Sequence, residues 1–353
     1  MNIRYPTAEE HLAFLVKLQR LLAEGDFTAT YKFALLIALA DISVEVGHDD
    51  DRTLDVPMRA IAEKFINYYW QQSVPYSVGQ PETKIEVLHQ NNGNAAKVIT
   101  DIQVFRRQHG INSLALAKRR VDFSGLVTSV AATVTAQPVK YLQNLGGTTE
   151  NFIFEKIQRG LRLNPSASSH LRKFHSLIQE IARNRWVEHI KRNKRNHPIL
   201  GQRDDLHGFL FETSPQSLQL IGTGMTRLFA GRCFYCHQSI QGSPDVDHFI
   251  PFSMYGRDIG QNFVIAHPSC NRSKSDTLAA GQHLERWLGQ VEKYRDDIAE
   301  ITSTAGVLDD EGAIMSVARW AYQSGYEAGG NAWVKQRVYK RISEADVRMF
   351  GMA

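Results

Sequence analysis

Cysteine is scarce in this chain, with three among 353 residues, and all three lie between Cys233 and Cys270. Long apolar runs are also missing, because the longest is the eight-residue stretch at 33–40, far short of the roughly 20 residues that a membrane-spanning helix needs. The N-terminal residues MNIRYPTAEEH lack the charged-then-apolar layout of a secretory signal. We therefore expect a cytoplasmic protein, in which clustered cysteines indicate a metal site rather than disulfides.

Neither sign of charge dominates, since 41 Lys and Arg stand against 37 Asp and Glu and the net charge is +4. Positive charge is nevertheless concentrated between His170 and His197, where eight Lys or Arg accompany two Glu. A local basic stripe of this kind binds polyanions, although an ordinary solvated helix face has the same composition. If the stripe binds a phosphate backbone, the candidate contacts are Arg183, Arg185, Lys191 and Arg192.

Helical periodicity dominates the rest of the sequence, which predicts a mainly α fold. The segment 27–47 is apolar nearly all round, as expected of a buried central helix, and 166–193 is predicted to be one long helix. The stretch 331–349 is also helix-like. A chain of 353 residues is too long to fold around a single hydrophobic core, so two or more domains are expected. We predict a helical domain at 1–200, a small module at 201–280 and a helical C-terminal extension at 281–353.

Four sulfur and nitrogen donors have the spacing of a structural metal site. Cys233 and Cys236 form a C-x2-C pair, and His267 and Cys270 form an H-x2-C pair 30 residues further on. Two-residue gaps let both members of a pair reach one tetrahedral ion from a tight turn, and Zn²⁺ favours such sites. His237 is an alternative fourth ligand, but it directly follows Cys236. Three buried free cysteines would leave the paired spacing unexplained.

The residues around these pairs predict a strand, a loop, a second strand and a helix. PDVDHFIPFS indicates the first strand, MYGRDIGQ the loop, NFVIAH the returning strand and NRSKSDTLAA the start of the helix. Such a segment is too small to fold on its apolar core alone. A zinc ion that joins the start of the first strand to the end of the second would supply the missing stability.

Residues 231–276 resemble the HNH endonucleases, the ββα-metal family, in the version that carries zinc knuckles. The matching features are the Cys pair, a DH followed by IP, the Asn that opens the second strand, and N-R-x-K directly after the second knuckle. Asn262 follows His248 by 14 positions and Asn271 follows it by 23. Asn271 stands where many members carry the last His, and His267 replaces the commoner third cysteine. The chain therefore resembles the His-Asn-Asn variant.

The resemblance implies a role for each matched residue. His248 is expected to be the general base that takes a proton from the attacking water. Asp247 and the side-chain oxygen of Asn271 are expected to hold one Mg²⁺, with Asp245 as a possible substitute or assistant. Asn262 is expected to hold the loop. Taken singly, these residues would equally suit caps or a core histidine, but their joint order within a zinc frame favours catalysis.

Two further residues are expected to contact substrate. Arg272 and Lys274 follow the second knuckle, in what the sequence predicts to be the first turn of a helix, where a phosphate would be favoured. The charges of both side chains suit a phosphodiester substrate.

The function that the resemblance implies is a Mg²⁺-dependent DNA endonuclease, and appended domains on such nucleases are associated with bacterial host defence or restriction. The helical N-terminal part would then recognise DNA, form a homo-oligomer or bind a regulatory partner protein. One alternative is a non-catalytic zinc module that binds nucleic acid or protein, which would not need His248, Asp247 or Asn271. Another is a toxin-like nuclease that cleaves RNA.

Overall fold

The computed structural model describes residues 3–77, 83–93, 95–201 and 206–351. The chain is 58% helical, which confirms the predicted mainly α class. Within the described ranges, no helix combines the length and the apolar character needed to cross a membrane.

The helices are α1 (Ala8–Glu24), α2 (Tyr31–Val46), α3 (Met58–Trp70), α4 (Lys97–His109), α5 (Leu114–Lys118), α6 (Phe123–Ala136), α7 (Pro138–Tyr141), α8 (Ala167–Lys173), α9 (His175–Arg192), α10 (His197–Leu200), α11 (Leu206–Phe211), α12 (Pro215–Leu228), α13 (Pro268–Lys274), α14 (Gly281–Lys293), α15 (Arg295–Thr304), α16 (Glu311–Glu327) and α17 (Glu344–Arg348). The strands are β1 (Leu54–Pro57), β2 (Asn144–Leu145), β3 (Thr148–Thr149), β4 (Phe154–Ile157), β5 (Gly160–Leu163), β6 (Asp245–His248), β7 (Phe263–Ala266), β8 (Asn331–Lys335) and β9 (Val338–Arg341).

The chain divides into two compact units. The first comprises Met1–Ile111 and Arg120–Phe211, and the second comprises Asn112–Arg119 and Glu212–Ala353. The domain boundary predicted between residues 200 and 201 borders residues 202–205, which lie outside the described residues. The predicted C-terminal extension at 281–353 belongs to the same compact unit as residues 212–280.

The first unit is built around α2. Every residue of this helix from Tyr31 to Val44 is buried, as its all-round apolar pattern predicts. β1, β5 and β4 form an antiparallel sheet in that order. The single helix predicted at 166–193 is wrong, because the structure breaks it at Phe174, which has φ −107 and ψ 19. The break separates α8, which is buried on nearly all sides, from α9, whose first residue His175 turns its ring into the interior.

The second unit contains the predicted strand, loop, strand and helix as β6, β7 and α13. β6 and β7 are antiparallel, with Asp247 opposite Val264 and His248 opposite Phe263. The pair rests on an apolar cluster contributed by β7, α12, α15 and the segment that follows it; its fully enclosed members are Ile221, Met225, Phe263, Ile265, Ile298, Ala305 and Val307. Helix α12 approaches β6 closely at Gly222, where an added Cβ would lie 3.2 Å from Val246 Cγ2.

The helix predicted at 331–349 is wrong, because β8 and β9 form an antiparallel hairpin there and only α17 is helical. The turn of the hairpin places Arg337 at φ 62, a conformation that a continuing helix does not allow. Trp333 donates its backbone N–H to Leu278 O at 2.7 Å and accepts from Ala280 N at 2.8 Å. The hairpin therefore pairs with the segment that follows α13, a contact that local helical periodicity does not reveal.

Candidate metal centre and nuclease site

The four predicted zinc ligands come together at one end of the β6–β7 pair. One donor atom from each of Cys233, Cys236, His267 and Cys270 lies within 4.8 Å of the others. In a tetrahedral site with Zn–S bonds of about 2.3 Å, ligand atoms stand about 3.7 Å apart. The cluster thus needs only a small contraction around an ion. The three sulfurs and one imidazole are the donor set of a closed structural zinc site.

His267 is oriented for this role by its second ring nitrogen. Its Nδ1 lies 3.2 Å from Cys236 Sγ, and its Nε2 lies 3.2 Å from Ser239 O. Because a carbonyl only accepts hydrogen bonds, Nε2 carries the proton and Nδ1 is left with the lone pair that a metal requires. His237, the alternative ligand, is exposed, sits at φ 62 and is not a member of the cluster.

The electrostatics of the cluster also suit a cation. Burial, reinforced by negative charge on Cys233 and Cys236, raises the pKa of the Cys270 thiol to about 12. Three neighbouring thiolates repel one another, whereas a divalent ion at their centre would stabilise all three. The residues present therefore fit zinc in donor type, spacing and charge.

Helix α14 and the β8–β9 hairpin hold this frame from outside the motif. Arg286 Nη1 donates to Phe234 O at 2.8 Å, which fixes the turn between the first two cysteines. Trp287 stacks on Phe249 with 4.8 Å between ring centroids. Trp333 Nε1 donates to Ser273 Oγ on α13 at 3.0 Å. Residues of the predicted C-terminal extension are thus part of the structure that supports the site.

His248 ends β6 with its side chain 22% exposed, so the ring is open to solvent. Its Nε2 lies 2.5 Å from Asp258 Oδ1, in the loop that precedes β7. The other carboxylate oxygen of Asp258 accepts two hydrogen bonds from Thr213, one from the backbone N–H at 3.0 Å and one from the hydroxyl. Burial alone would raise the pKa of Asp258, but the adjacent His248 and the bonds from Thr213 lower it below its ordinary value. Asp258 is therefore an ionised, fixed partner of the histidine.

Asp247 points to the opposite side of β6 from His248 and is nearly enclosed. Its Oδ2 accepts a hydrogen bond from Tyr235 Oη at 2.5 Å and lies 3.2 Å from Lys274 Nζ. Burial, together with the charge of Asp247, raises the pKa of Tyr235 well above its ordinary value, so the phenol stays protonated and donates. Lys274 also donates to His248 O at 2.9 Å, which ties α13 to the end of β6.

The two asparagines have different surroundings. Asn271 Nδ2 donates to Asp245 Oδ2 at 3.0 Å, so the amide lies against a carboxylate on the same face of β6 as Asp247. Asn262 is fully buried; its Oδ1 accepts from Ile250 N at 2.8 Å and its Nδ2 donates to Ile250 O at 2.9 Å. Asn262 thus closes the loop between the strands onto the residues that follow His248.

The placement of the predicted phosphate contacts differs from the expectation at three residues. The side chain of Lys274 is 0% exposed, and Arg183 is buried against the Phe211 ring, so neither side chain is open to a phosphate. Arg272 is exposed, but α13 begins at Pro268, so Arg272 and Lys274 lie in its last turn rather than its first.

The remaining predicted contacts lie on or near the surface of α9. Arg192 is 82% exposed, with Glu188 3.6 Å away. Arg185 is exposed and donates to Leu22 O at 2.7 Å, while Lys191 is half-buried. Arg192 is therefore the most accessible cation among the four predicted on this helix.

Sequence reasoning missed Asp258, Thr213 and Tyr235. Asp258 lies in MYGRDIGQ, which attracts attention only for its glycines, and Thr213 is 45 residues away from it. No local spacing signals these contacts, because they form only when the loop folds back onto the end of β6. The only signal in the sequence is the titratable side chain of Asp258, in the loop between two strands of a candidate active site.

Two family models match the chain. The first, described as a domain of unknown function (DUF8808), matches residues 11–210, and the second, described as HNH endonuclease, matches residues 233–277. The second match begins at the first cysteine of the metal cluster and ends just beyond α13. No curated protein and no solved structure matches the chain.

Proposed function

The chain belongs to the DUF8808 family and carries an HNH endonuclease domain, and from this premise we propose that it is a Mg²⁺-dependent endonuclease that hydrolyses phosphodiester bonds in DNA. The observation that carries the proposal is the position of His248. Its ring is partly exposed at the end of β6, beside the Asp258 carboxylate, within the segment that matches the HNH model. A nucleic-acid substrate is what this domain implies.

In the proposed mechanism His248 takes the proton of the attacking water. An imidazole suits this step because an unprotonated ring nitrogen can accept a proton from water. The hydrogen bonds of Asn262 to Ile250 fix the chain just beyond His248, and the bond from Lys274 to His248 O fixes the histidine backbone. These contacts hold the base in place without contacting substrate.

The proposed ligands of the catalytic ion are Asp247 and Asn271, with Asp245 as a further carboxylate beside Asn271. Carboxylate and amide oxygens are the donors that Mg²⁺ prefers, so the residues fit the ion in chemistry. A bound Mg²⁺ would contact the scissile phosphate and stabilise charge on the leaving oxygen. Tyr235 and Lys274 contact the Asp247 carboxylate and hold it on that face of β6.

The proposed contacts with the DNA backbone are Arg272 on α13 and the cations of α9 that reach the surface, Arg185, Lys191 and Arg192. Such contacts make binding strongly dependent on salt and independent of sequence. The resemblance supports a bacterial defence or restriction role, in which the first unit recognises DNA or restrains the nuclease through a partner.

The test is cleavage of supercoiled plasmid by the purified full chain in Mg²⁺, in EDTA, and with His248→Ala. We expect nicked or linear DNA only from the unaltered chain in Mg²⁺, since the variant lacks the proton acceptor. The loss should be about a hundredfold or more. Agarose gel electrophoresis measures the products, and a parallel single-stranded RNA substrate tests the RNA-cleaving alternative.

The matched control is His197→Ala, which removes an exposed histidine of α10. It should cleave at the unaltered rate. Full activity in His248→Ala, with zinc content and circular dichroism unchanged, would contradict the assigned base. DNA binding without any cleavage by the unaltered chain in Mg²⁺ would favour the non-catalytic module instead.

A further inference from the structure

We propose that Asp258 is the positioning residue of the general base: it holds the His248 ring in the tautomer and orientation in which Nδ1, not Nε2, accepts the proton from water. The proposal rests on the proposed function, since it concerns how that base works. It adds a residue that lies outside the His-Asn-Asn motif and whose contacts become visible only in the folded chain.

The contact between Asp258 and His248 fixes the position of the ring proton. An ionised carboxylate has only acceptor oxygens, so a 2.5 Å contact between Asp258 Oδ1 and His248 Nε2 requires the proton on Nε2. In a neutral imidazole that leaves the lone pair on Nδ1. Asp258 is held in the ionised form, because the neighbouring His248 and Thr213 lower its pKa against the opposing effect of burial.

Thr213 holds the Asp258 carboxylate in a fixed position. Both Thr213 donors bind Oδ2, which leaves Oδ1 for the histidine alone. The side chain of Asp258 is only 11% exposed, so few water molecules compete for it. Thr213 is itself fixed, because the next residue, Ser214, caps α12 by accepting a hydrogen bond from Ser217 N.

Neighbouring side chains also orient the His248 ring. The rings of Phe263 and Phe252 lie beside the His248 ring, with centroid distances of 4.9 and 5.3 Å. The aromatic rings restrict rotation but do not choose between the two ring nitrogens. Only the carboxylate makes that choice, and an imidazole with the wrong tautomer presents an N–H to the water instead of a lone pair.

The test compares Asp258→Asn and Thr213→Val with the unaltered full chain. In Asp258→Asn the side chain can donate an N–H to Nε2, which favours the opposite tautomer. We expect kcat on plasmid DNA to fall about a hundredfold or more, with little change in the DNA concentration at half-maximal rate. Thr213→Val keeps the carboxylate and the backbone bond, so its kcat should fall less.

A second readout does not depend on activity. ¹⁵N NMR of histidine-labelled protein, with the His248 signals identified by their loss in His248→Ala, distinguishes a ring nitrogen that carries a proton from one that does not. We expect a protonated Nε2 and an unprotonated Nδ1 in the unaltered neutral ring, and the reverse in Asp258→Asn. Asp309→Asn, which removes an exposed carboxylate of the same unit, should change neither readout.

The outcomes separate this inference from the proposed function. If the unaltered chain cleaves DNA and Asp258→Asn changes neither kcat nor the tautomer, the positioning role is overturned and the nuclease stands. If the unaltered chain is inactive but the tautomer reverses in the variant, the proposed function fails while Asp258 still sets the ring. If the unaltered chain is inactive and the tautomer stays the same in the variant, both are overturned.

Discussion

At the scale of single residues, Lys274 and Asp247 form a charge pair inside the second unit. The Lys274 side chain is 0% exposed and that of Asp247 is 9% exposed, with 3.2 Å between Nζ and Oδ2. Burial lowers the pKa of Lys274, and the adjacent Asp247 partly offsets this. A pair of this kind contributes little net free energy relative to apolar residues, but removal of one partner leaves an uncompensated buried charge.

We predict that Lys274→Met destabilises the second unit by about 3 kcal/mol, because Asp247 then keeps only its bond from Tyr235. Urea denaturation followed by circular dichroism measures the loss. Arg272→Met, on the exposed side of the same helix, should change stability by no more than about 0.5 kcal/mol. Equal unfolding midpoints for the two variants would mean that the pair is not needed for the fold.

The residues that the sequence predicted and those it missed differ in one physical respect. The zinc ligands are set by the geometry of two tight turns, so C-x2-C and H-x2-C spacing suffices to identify Cys233, Cys236, His267 and Cys270 as a cluster. The burial of Lys274 and the contact between His248 and Asp258 depend instead on how α13 and a loop pack against β6. A charged residue in a sequence looks exposed until its partner is known, which is why Lys274 was expected to contact phosphate.

At the scale of secondary-structure elements, the metal cluster joins three segments of the second unit. Cys233 and Cys236 precede β6, His267 lies between β7 and α13, and Cys270 lies in α13. Apart from the ligands, backbone bonds such as Phe234 N to Ile265 O at 2.9 Å link the first turn to β7. An ion in the cluster would therefore add stability to a segment whose own elements are two four-residue strands and a seven-residue helix.

We predict that Cys233→Ser and His267→Ala each lose the zinc that the unaltered chain retains through purification, and that β6, β7 and α13 then lose their protection from hydrogen exchange. Elemental analysis measures the zinc content, and exchange followed by mass spectrometry measures the protection. His237→Asn is the matched control, since Asn tolerates the positive φ of this position and His237 lies outside the cluster. Loss of zinc from His237→Asn, with zinc kept in His267→Ala, would assign the fourth ligand to His237.

Elements whose local sequence indicates their structure were predicted better than elements that depend on contacts with distant residues. β6 and β7 follow from short apolar runs between turn residues, and α2 follows from its all-round apolar sequence. The helix predicted to start at Asn271 begins instead at Pro268 and ends at Lys274. The β8–β9 hairpin was missed because its apolar residues also suit a helix, and only the pairing of Trp333 with Leu278 and Ala280 selects the strand. The break at Phe174 was missed for the same kind of reason, since the inward turn of His175 depends on a partner in α2.

At the scale of the whole molecule, each of the two compact units has its own cluster of polar side chains. The second has the metal cluster, and the first has the partners of Asp41 of α2, which is 1% exposed. Asp41 accepts hydrogen bonds from Tyr68 Oη at 2.7 Å and Gln179 Nε2 at 2.6 Å, and its Oδ1 lies 2.9 Å from His175 Nε2. These contacts connect α2, α3 and α9, so the charge state of one carboxyl bears on the packing of three helices.

The stability of the first unit at low pH depends on the Asp41 carboxyl. Burial opposes ionisation of Asp41, but the bond from His175, the charges of His175 and Lys64 and the Tyr68 hydroxyl lower its pKa from 3.8 to about 2. A carboxyl with a depressed folded-state pKa stabilises the fold above its unfolded-state pKa, and this stabilisation is lost as the pH falls through the folded-state value. The shift corresponds to about 2 kcal/mol of stability, present above about pH 4 and lost towards about pH 2.

We expect the urea concentration at which α2 and α9 lose their protection from hydrogen exchange to fall over this pH window in the unaltered chain, and to fall much less in Asp41→Asn. Asp26→Asn, which changes an exposed carboxylate of the same unit, should keep the full acid response. A parallel decline in the unaltered chain and in Asp41→Asn would show that the acid sensitivity of these helices comes from other groups.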